Sequence, residues 1–526
     1  MNLWLISGPR IESDQQPGTG MGKLLIIGID ALDAIQLDLF QNHLPNLSRL
    51  RKLGFYSQLD SVWPPDSETA WASIYTGWNP ARHGIFQFVD PLQKTCTYLS
   101  GERDNAAIRG QAFWDLAGTA GCKVCVLFPH IGYPSWPVNG VMVTRASTTA
   151  DMSVSPPELM KRYNFNGLNA VKGLVGRNRR AYLDLMKKLV ERQLELNLQL
   201  IKELEWDLFF SYWPALDIVQ HQFWAHCDPA DPTFWGDTPY RYAIRDFYVL
   251  HDWVVAELIK AVGPGTNILI LSDHGHGMRP VKIFNVNRLL RERGLLAVHH
   301  PKIVRNLPSI KKMKDLAAHL AGRYQLGRLA SGLVKLIPWT RKAYISAAGL
   351  DLENTVACIT DMSGIKAYSY GGIQITQNNL NGRPYEALRD EIIELLQDAR
   401  DPEIGDEPIL KWAKRREDLY SGPYLAGYPD IVFELRNEYG AGWDATGPLF
   451  DVSHTHNLYP GSHIASNAIF LLLGPAVPRI HHAPASLLDI APTVLDILDV
   501  PAVECMDGSS ILSKESLRKP TVCVLD

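Results

Sequence analysis

Neither sign of charge is in excess: 52 lysines and arginines stand against 56 aspartates and glutamates, and the isoelectric point is near 6.5. That excludes the basic footprint of a nucleic-acid binder and any general attraction to an anionic membrane, and makes a small molecule the expected partner. No apolar run is long enough to span a bilayer. The apolar start, Met1 to Ile6, lacks a charged region before it and is too short for a signal peptide. Met21, followed by Gly-Lys and a strong strand, is the expected start of the folded part, with 1–22 as a disordered leader or, equally, the product of a misassigned start site. Cysteine is scarce as well. The seven, at 96, 122, 125, 227, 358, 505 and 523, are odd in number and scattered, which excludes a secreted disulfide framework and fits a reducing cytoplasm. Cys122 and Cys125 sit in a stretch that alternates like a strand, so both are expected to be packing residues.

What is present is a long chain, 526 residues and 46% hydrophobic, enough for one large α/β domain with insertions or for two domains. Short apolar runs at Lys23 to Ile29, Lys123 to Phe128, Trp206 to Tyr212, Thr266 to Leu271 and Ala468 to Leu473 read as buried strands. Helical patterns lie between them, clearest at Tyr182 to Glu205, where Leu185, Leu189, Leu194, Leu198 and Ile201 form the expected apolar stripe. This alternation predicts a doubly wound, mainly parallel sheet with helices on both faces. From about Gly277 to Tyr459 the alternation breaks, as an inserted cap would make it. Within that stretch Lys302 to Lys342 is basic; apolar residues interleaved at helix period favour a solvated helical face, with a surface for an anionic substrate or lipid head group as the alternative.

In such sheets ligands bind beyond the carboxyl ends of the strands. Asp30 closes the first strand, Asp217 follows the third, and Asp273-His274 follows the fourth. Asp217 and His221 are four apart and share a face if their segment opens a helix. With His463, before the last strand, these residues supply three carboxylates and three imidazoles, a set suited to two divalent ions, zinc first and manganese second. His463 precedes its strand, so either that strand runs antiparallel or the loop before it folds back. Ser67 follows Trp63-Pro-Pro-Asp66, where the prolines hold off a helix that begins near Thr69. At a helix N-terminus the backbone N–H groups favour an anion, and an N-cap role is the plain alternative for Ser67. His454 and His456 could line the site or assist a leaving group, and could equally be surface residues.

These residues resemble the type I phosphodiesterase and nucleotide pyrophosphatase branch of the alkaline phosphatase superfamily, including its prokaryotic phosphohydrolase and phosphomutase-like members. The landmarks are Ile26-Ile-Gly-Ile-Asp-Ala31, Trp63-Pro-Pro-Asp-Ser67, the run from Ala70 to Ile85 with His83, Tyr133 to Met142, Ser272-Asp-His-Gly275, and Leu488 to Leu495 with Met506-Asp-Gly508. The resemblance implies an alkaline phosphatase-like core over 23–276 and 460–512, an insertion or cap over 277–459, and a tail over 513–526. It implies Ser67 as nucleophile, one metal on Asp217, His221 and His463, and a second on Asp30, Ser67, Asp273 and His274. The implied reaction is hydrolysis of a small-molecule phosphate ester through a phosphoserine, with a phosphomutase and a noncatalytic binding protein as alternatives. Two departures stand out. Many relatives carry Thr where this chain has Ser67, and eukaryotic-type relatives carry Asn where it has Ala70, so nucleotide specificity is not implied. Ser67 is followed by Glu-Thr-Ala-Trp, which excludes the x-Pro-x-Arg signature of a sulfatase.

Overall fold

The computed structural model describes residues 22–513 apart from 87–88, 91–94, 97–105, 147–150, 169–177, 300–349, 361–366, 378–379, 381, 454, 458, 478–484 and 502–505. The basic segment Lys302 to Lys342, and nearly all of the leader and the tail, lie outside the described residues.

Each apolar run of the sequence forms a strand. In chain order the strands used below are β1 (Leu24–Ile29), β2 (Phe55–Leu59), β3 (Val124–Leu127), β4 (Gly140–Arg145), β5 (Met152–Ser155), β6 (Leu208–Trp213), β7 (Asn267–Leu271) and β8 (Gly275–Met278). They continue with β9 (Ala357–Thr360), β10 (Tyr370–Ile375), β11 (Leu410–Arg415), β12 (Ile431–Leu435), β13 (Gly461–Ile464) and β14 (Ala468–Leu473). The helices are α1 (Ser67–Thr76), α2 (Arg179–Glu203), α3 (Ala215–Cys227), α4 (Ala243–Val262), α5 (Tyr385–Gln397) and α6 (Ile490–Ile497).

An eight-stranded sheet runs in the order β2-β14-β7-β1-β6-β3-β4-β5. Pairing is parallel from β7 through β1, β6 and β3 to β4. β14 is antiparallel to both of its neighbours, and β5 is antiparallel to β4. The direction of β14 explains why His463 comes before its strand: an antiparallel strand begins at the edge where the parallel ones end. Apolar residues cover both faces, which is why the inner strands read as unbroken hydrophobic runs. Cys122 and Cys125 are free, buried thiols that pack on opposite faces of the sheet.

Helices α2, α3 and α4 cover one face, and α1 and α6 the other. α1 lies close against β1 because Gly28 has no side chain; a Cβ there would stand 2.6 Å from the Trp71 ring. α2 is capped by the Asn178 side chain, which accepts from the Ala181 N–H. Its buried stripe keeps most of the expected one: Leu189, Leu194 and Ile201 are buried with Tyr182, Met186 and Val190, and Leu198 packs part-buried against the same core, whereas Leu185 is 42% exposed. Polar Gln193 and Asn197 also face inward, where Gln193 donates to the Tyr212 carbonyl. Counting leucines alone therefore missed the stripe's polar members and counted one exposed residue, Leu185, as part of it.

A second sheet, β9-β10-β12-β11, is antiparallel throughout and has its own hydrophobic core, to which α5 contributes. It holds the segment that leads into α1. Trp63 packs edge-on against Tyr370 and Trp412. Its N–H donates to Tyr420 Oη at 2.7 Å, and its carbonyl accepts from Tyr428 Oη at 2.9 Å. The residues just before Ser67 are thus clamped from outside the main sheet.

Three buried histidines carry a pH prediction. Burial lowers His83 from the ordinary 6.5 to about 3 and His251 to about 4; burial and then the Arg179 charge lower His226 to about 4. His83 bridges Ser73 Oγ and the Ile85 N–H, each at 3.0 Å. Each histidine stays neutral in the fold and takes up a proton on unfolding below pH 6.5. Their contribution to stability is whole above that pH and is lost as the pH falls toward 4. Calorimetric melting between pH 7 and pH 5 is expected to show this loss, with a shallower slope in His83→Asn, which keeps an acceptor for Ile85; an unchanged slope would contradict the assignment.

Candidate metal centre

The strands deliver the predicted residues to one edge of the sheet. Asp30 follows β1, and its N–H donates to the Trp213 carbonyl at the end of β6. Ala31 then takes a left-handed backbone, φ 56°, and turns the chain away. Asp217 and His221 lie in the first turns of α3, just after β6. Asp273 and His274 follow β7, and His463 lies in β13, which pairs antiparallel with β8. Ser67 is the first residue of α1, with Asp66 as its N-cap, so Ser67 itself is not the cap.

The side chains gather into two groups. Asp217, His221 and His463 form one; Asp30, Asp273 and His274 form the other; within each, the ligand atoms lie within 4.8 Å of one another. In the first, His221 Nε2 is 3.0 Å from His463 Nε2, and Asp217 Oδ1 is 3.3 Å and 3.6 Å from those two atoms. In the second, His274 Nε2 is 3.3 Å from Asp273 Oδ2 and 3.6 Å from Asp30 Oδ1. The stacked His274 and His463 rings, with centroids 3.9 Å apart, join the groups. Ser67 Oγ lies 3.3 Å from His274 Nε2.

Hydrogen bonding fixes the tautomers. Nδ1 of His221 faces the Gly461 carbonyl at 2.9 Å, Nδ1 of His274 the Gly275 carbonyl at 2.9 Å, and Nδ1 of His463 the Pro65 carbonyl at 3.1 Å. A carbonyl only accepts, so each neutral ring carries its hydrogen on Nδ1 and turns the Nε2 lone pair inward. Lone pairs 3.0 Å apart, beside carboxylate oxygens, repel unless a cation lies among them. Asp30 Oδ1 and Asp273 Oδ2 are buried and make no hydrogen bond. Burial, and then the Asp30 charge, hold the Asp273 carboxyl well above its usual range. Imidazole nitrogens whose other N–H is bound to a carbonyl, together with buried carboxylates, are the donor set of a divalent transition-metal site.

Sequence reasoning missed several residues around these groups. His276 lies in β8 opposite His463, with Nε2 3.7 Å from Asp217 Oδ1 and its ring stacked on Trp224. Neither of its ring nitrogens makes a hydrogen bond, and burial, helped by the nearby histidines, keeps it neutral. The signal was legible, since His274 and His276 alternate as strand neighbours on one face do. Arg279 is buried and donates through Nη2 to Gly461 O at 2.7 Å, the carbonyl that also orients His221. Position 461 must be glycine, because a Cβ there would fall 2.4 Å from the Gln220 carbonyl. Tyr212 Oη donates to Asp30 Oδ2.

His456 neither lines the mouth nor lies on the surface. It is 1% exposed, with Nε2 2.9 Å from Asp231 Oδ1 and Nδ1 2.9 Å from the Arg279 carbonyl. Both nitrogens are engaged, which corrects the expectation of a leaving-group contact. His454 lies outside the described residues. Among the described residues no helix is long and apolar enough to cross a membrane.

The chain resembles phosphonoacetate hydrolase from Sinorhizobium meliloti, solved with phosphonoformate, at 16% identity over 91% of this chain and 96% of that one, with a TM-score of 0.52. It also resembles murine ectonucleotide pyrophosphatase/phosphodiesterase 5, at 13% identity over 91% of this chain and 96% of the other, with a TM-score of 0.50. These likenesses show the alkaline phosphatase-like fold. No curated protein matches the sequence. The family profile for type I phosphodiesterase/nucleotide pyrophosphatase matches residues 24–344, more than half of the chain. The chain therefore belongs to the type I phosphodiesterase/nucleotide pyrophosphatase family and is a phosphoric ester hydrolase.

Proposed function

We propose that this hydrolase is metal-dependent and works through a phosphoserine formed at Ser67. The observation that supports this is the place of Ser67 Oγ, 3.3 Å from His274 Nε2 and beside a convergent set of buried acceptors. Asp217, His221 and His463 would hold one divalent cation; Asp30, Asp273 and His274, with Ser67 Oγ, would hold the other. Nitrogen ligands in both sets favour zinc, then manganese. Bound there, such cations supply Lewis acidity, lowering the pKa of the hydroxyl and neutralising charge on the phosphoryl oxygens.

The chain's own residues do the rest. As the first residue of α1, Ser67 presents its hydroxyl where the helix's unbonded N–H groups favour a developing anion. Ser67 Oγ stands 3.3 Å from His274 Nε2, and the Nδ1 bond to Gly275 O keeps that ring turned so that both atoms would face the same cation. Ser67 Oγ loses its proton to solvent and bonds to phosphorus as the P–O bond to the alcohol breaks, and the departing alkoxide takes up a proton from water. Water then attacks the phosphoserine, freeing Ser67 and releasing phosphate or a phosphomonoester. The substrate is a small-molecule phosphate ester rather than a nucleic acid, in keeping with the balanced charge, and the 277–459 insertion serves as the cap that selects the leaving group. Free thiols at Cys122, Cys125, Cys227 and Cys358 fit the reducing cytoplasm.

Hydrolysis of bis-p-nitrophenyl phosphate and p-nitrophenyl phosphate, with zinc or manganese, tests this reading. Ser67→Ala and chelation are each expected to lower turnover by about 10³-fold or more; a Ser67→Ala enzyme with full activity would overturn the phosphoserine. The acceptor cluster also predicts a trade between stability and binding. In metal-free protein at pH 8, Asp273→Asn removes a buried carboxylate and is expected to raise stability by about 1–3 kcal/mol, while abolishing most of the melting-temperature gain that zinc gives the wild type. Equal zinc-induced gains in both proteins would contradict it.

A further inference from the structure

A histidine outside both groups reaches the centre from the loop after β3. Phe128 takes a left-handed backbone, φ 58°, and its N–H donates to the Val143 carbonyl at 2.7 Å. Two residues on, the His130 N–H donates to Tyr75 Oη at 3.0 Å. Held at both points, the loop brings the His130 ring to two partners. Nδ1 lies 2.9 Å from Tyr212 Oη, and Nε2 lies 3.5 Å from Glu68 Oε1. Glu68 is the residue after Ser67, and Tyr212 Oη donates to Asp30 Oδ2. One imidazole therefore touches the neighbour of the nucleophile and, through a single phenol, a member of the second metal group.

Counting protons gives this chain a direction. Tyr212 has one hydroxyl hydrogen, and an ionised Asp30 can only accept, so that hydrogen goes to Asp30 Oδ2. The phenol oxygen is then the acceptor for His130, whose hydrogen must sit on Nδ1. Donation into the phenol strengthens its own donation to Asp30, as consecutive hydrogen bonds do. With Oδ2 taken, the Asp30 oxygen left for a cation is Oδ1, which makes no hydrogen bond and faces His274 Nε2 at 3.6 Å.

We propose that His130 is a positioning residue: through Tyr212 it holds Asp30 Oδ2 and so presents Asp30 Oδ1 to the second metal group. This rests on the two-cation reading above. The test is titration of the full-length, metal-stripped protein with Zn²⁺ against a chromophoric chelator, with Asp217→Asn and Asp273→Asn identifying the two binding steps. Tyr212→Phe and His130→Gln are expected to weaken the Asp30–Asp273–His274 step about tenfold or more and to leave the other step unchanged. The unchanged step also reports that each variant is folded. His130→Asn, whose amide stands where Nδ1 stood, is expected to bind nearly as the wild type does, and His130→Gln combined with Tyr212→Phe is expected to be no weaker than Tyr212→Phe alone. Wild-type affinity in His130→Gln, equal loss at both steps, or an Asn variant as weak as the Gln variant would overturn the proposal. A wild type that binds no zinc would instead overturn the two-cation reading, and this inference with it.

Discussion

Three imidazole lone pairs and three carboxylates face one another across a few ångströms at the edge of the main sheet, and most of the surrounding structure can be understood as what keeps them there. Left to themselves these acceptors would move apart. They are held by backbone carbonyls that take the Nδ1 hydrogens of His221, His274 and His463, and by strands packed on both faces. The cost falls on groups such as Asp273, whose ionised form burial disfavours. A centre of this kind weakens the empty protein and is stabilised by what it binds, a common relation between site and scaffold.

Position comes from topology before it comes from side chains. Parallel strands β1, β6 and β7 bring Asp30, Asp217 and Asp273 to one edge, and the reversed β14 brings the β13 segment with His463 to the same edge. The second sheet fixes the approach to Ser67 through Trp63, Tyr420 and Tyr428. Around this first layer lies another, in which Arg279 shares the Gly461 carbonyl with His221 and Tyr212 engages Asp30. Ligand geometry in metal sites depends on such outer contacts almost as much as on the ligands.

Much of this was legible in the sequence because it rests on local signals. Buried parallel strands are continuous apolar runs, so β1, β3, β6 and β7 announced themselves while β4 did not, and the acids after β1, β6 and β7 marked the edge where ligands bind. Prolines before Ser67 marked the start of α1 to within the first turn. Other features were hidden because they depend on contacts between distant segments. The direction of β14 follows from its neighbours, not from its residues. The stripe of α2 includes Gln193 and Asn197, whose burial is offset by hydrogen bonds that no hydropathy pattern reveals. His456 resembled a mouth residue only because it stands near His463 in sequence; Asp231, 225 residues away, holds it in the interior. His276 was the avoidable omission, since its spacing from His274 was in plain view.

The central claim is that the phosphoryl group passes through Ser67, and the most direct measurement is peptide mass spectrometry on enzyme quenched in acid during turnover of a phosphate ester. The account predicts a phosphorylated peptide whose modified residue is Ser67, absent when substrate is omitted. Turnover with Ser67 unmodified, or with the phosphoryl group trapped on another residue, would contradict it.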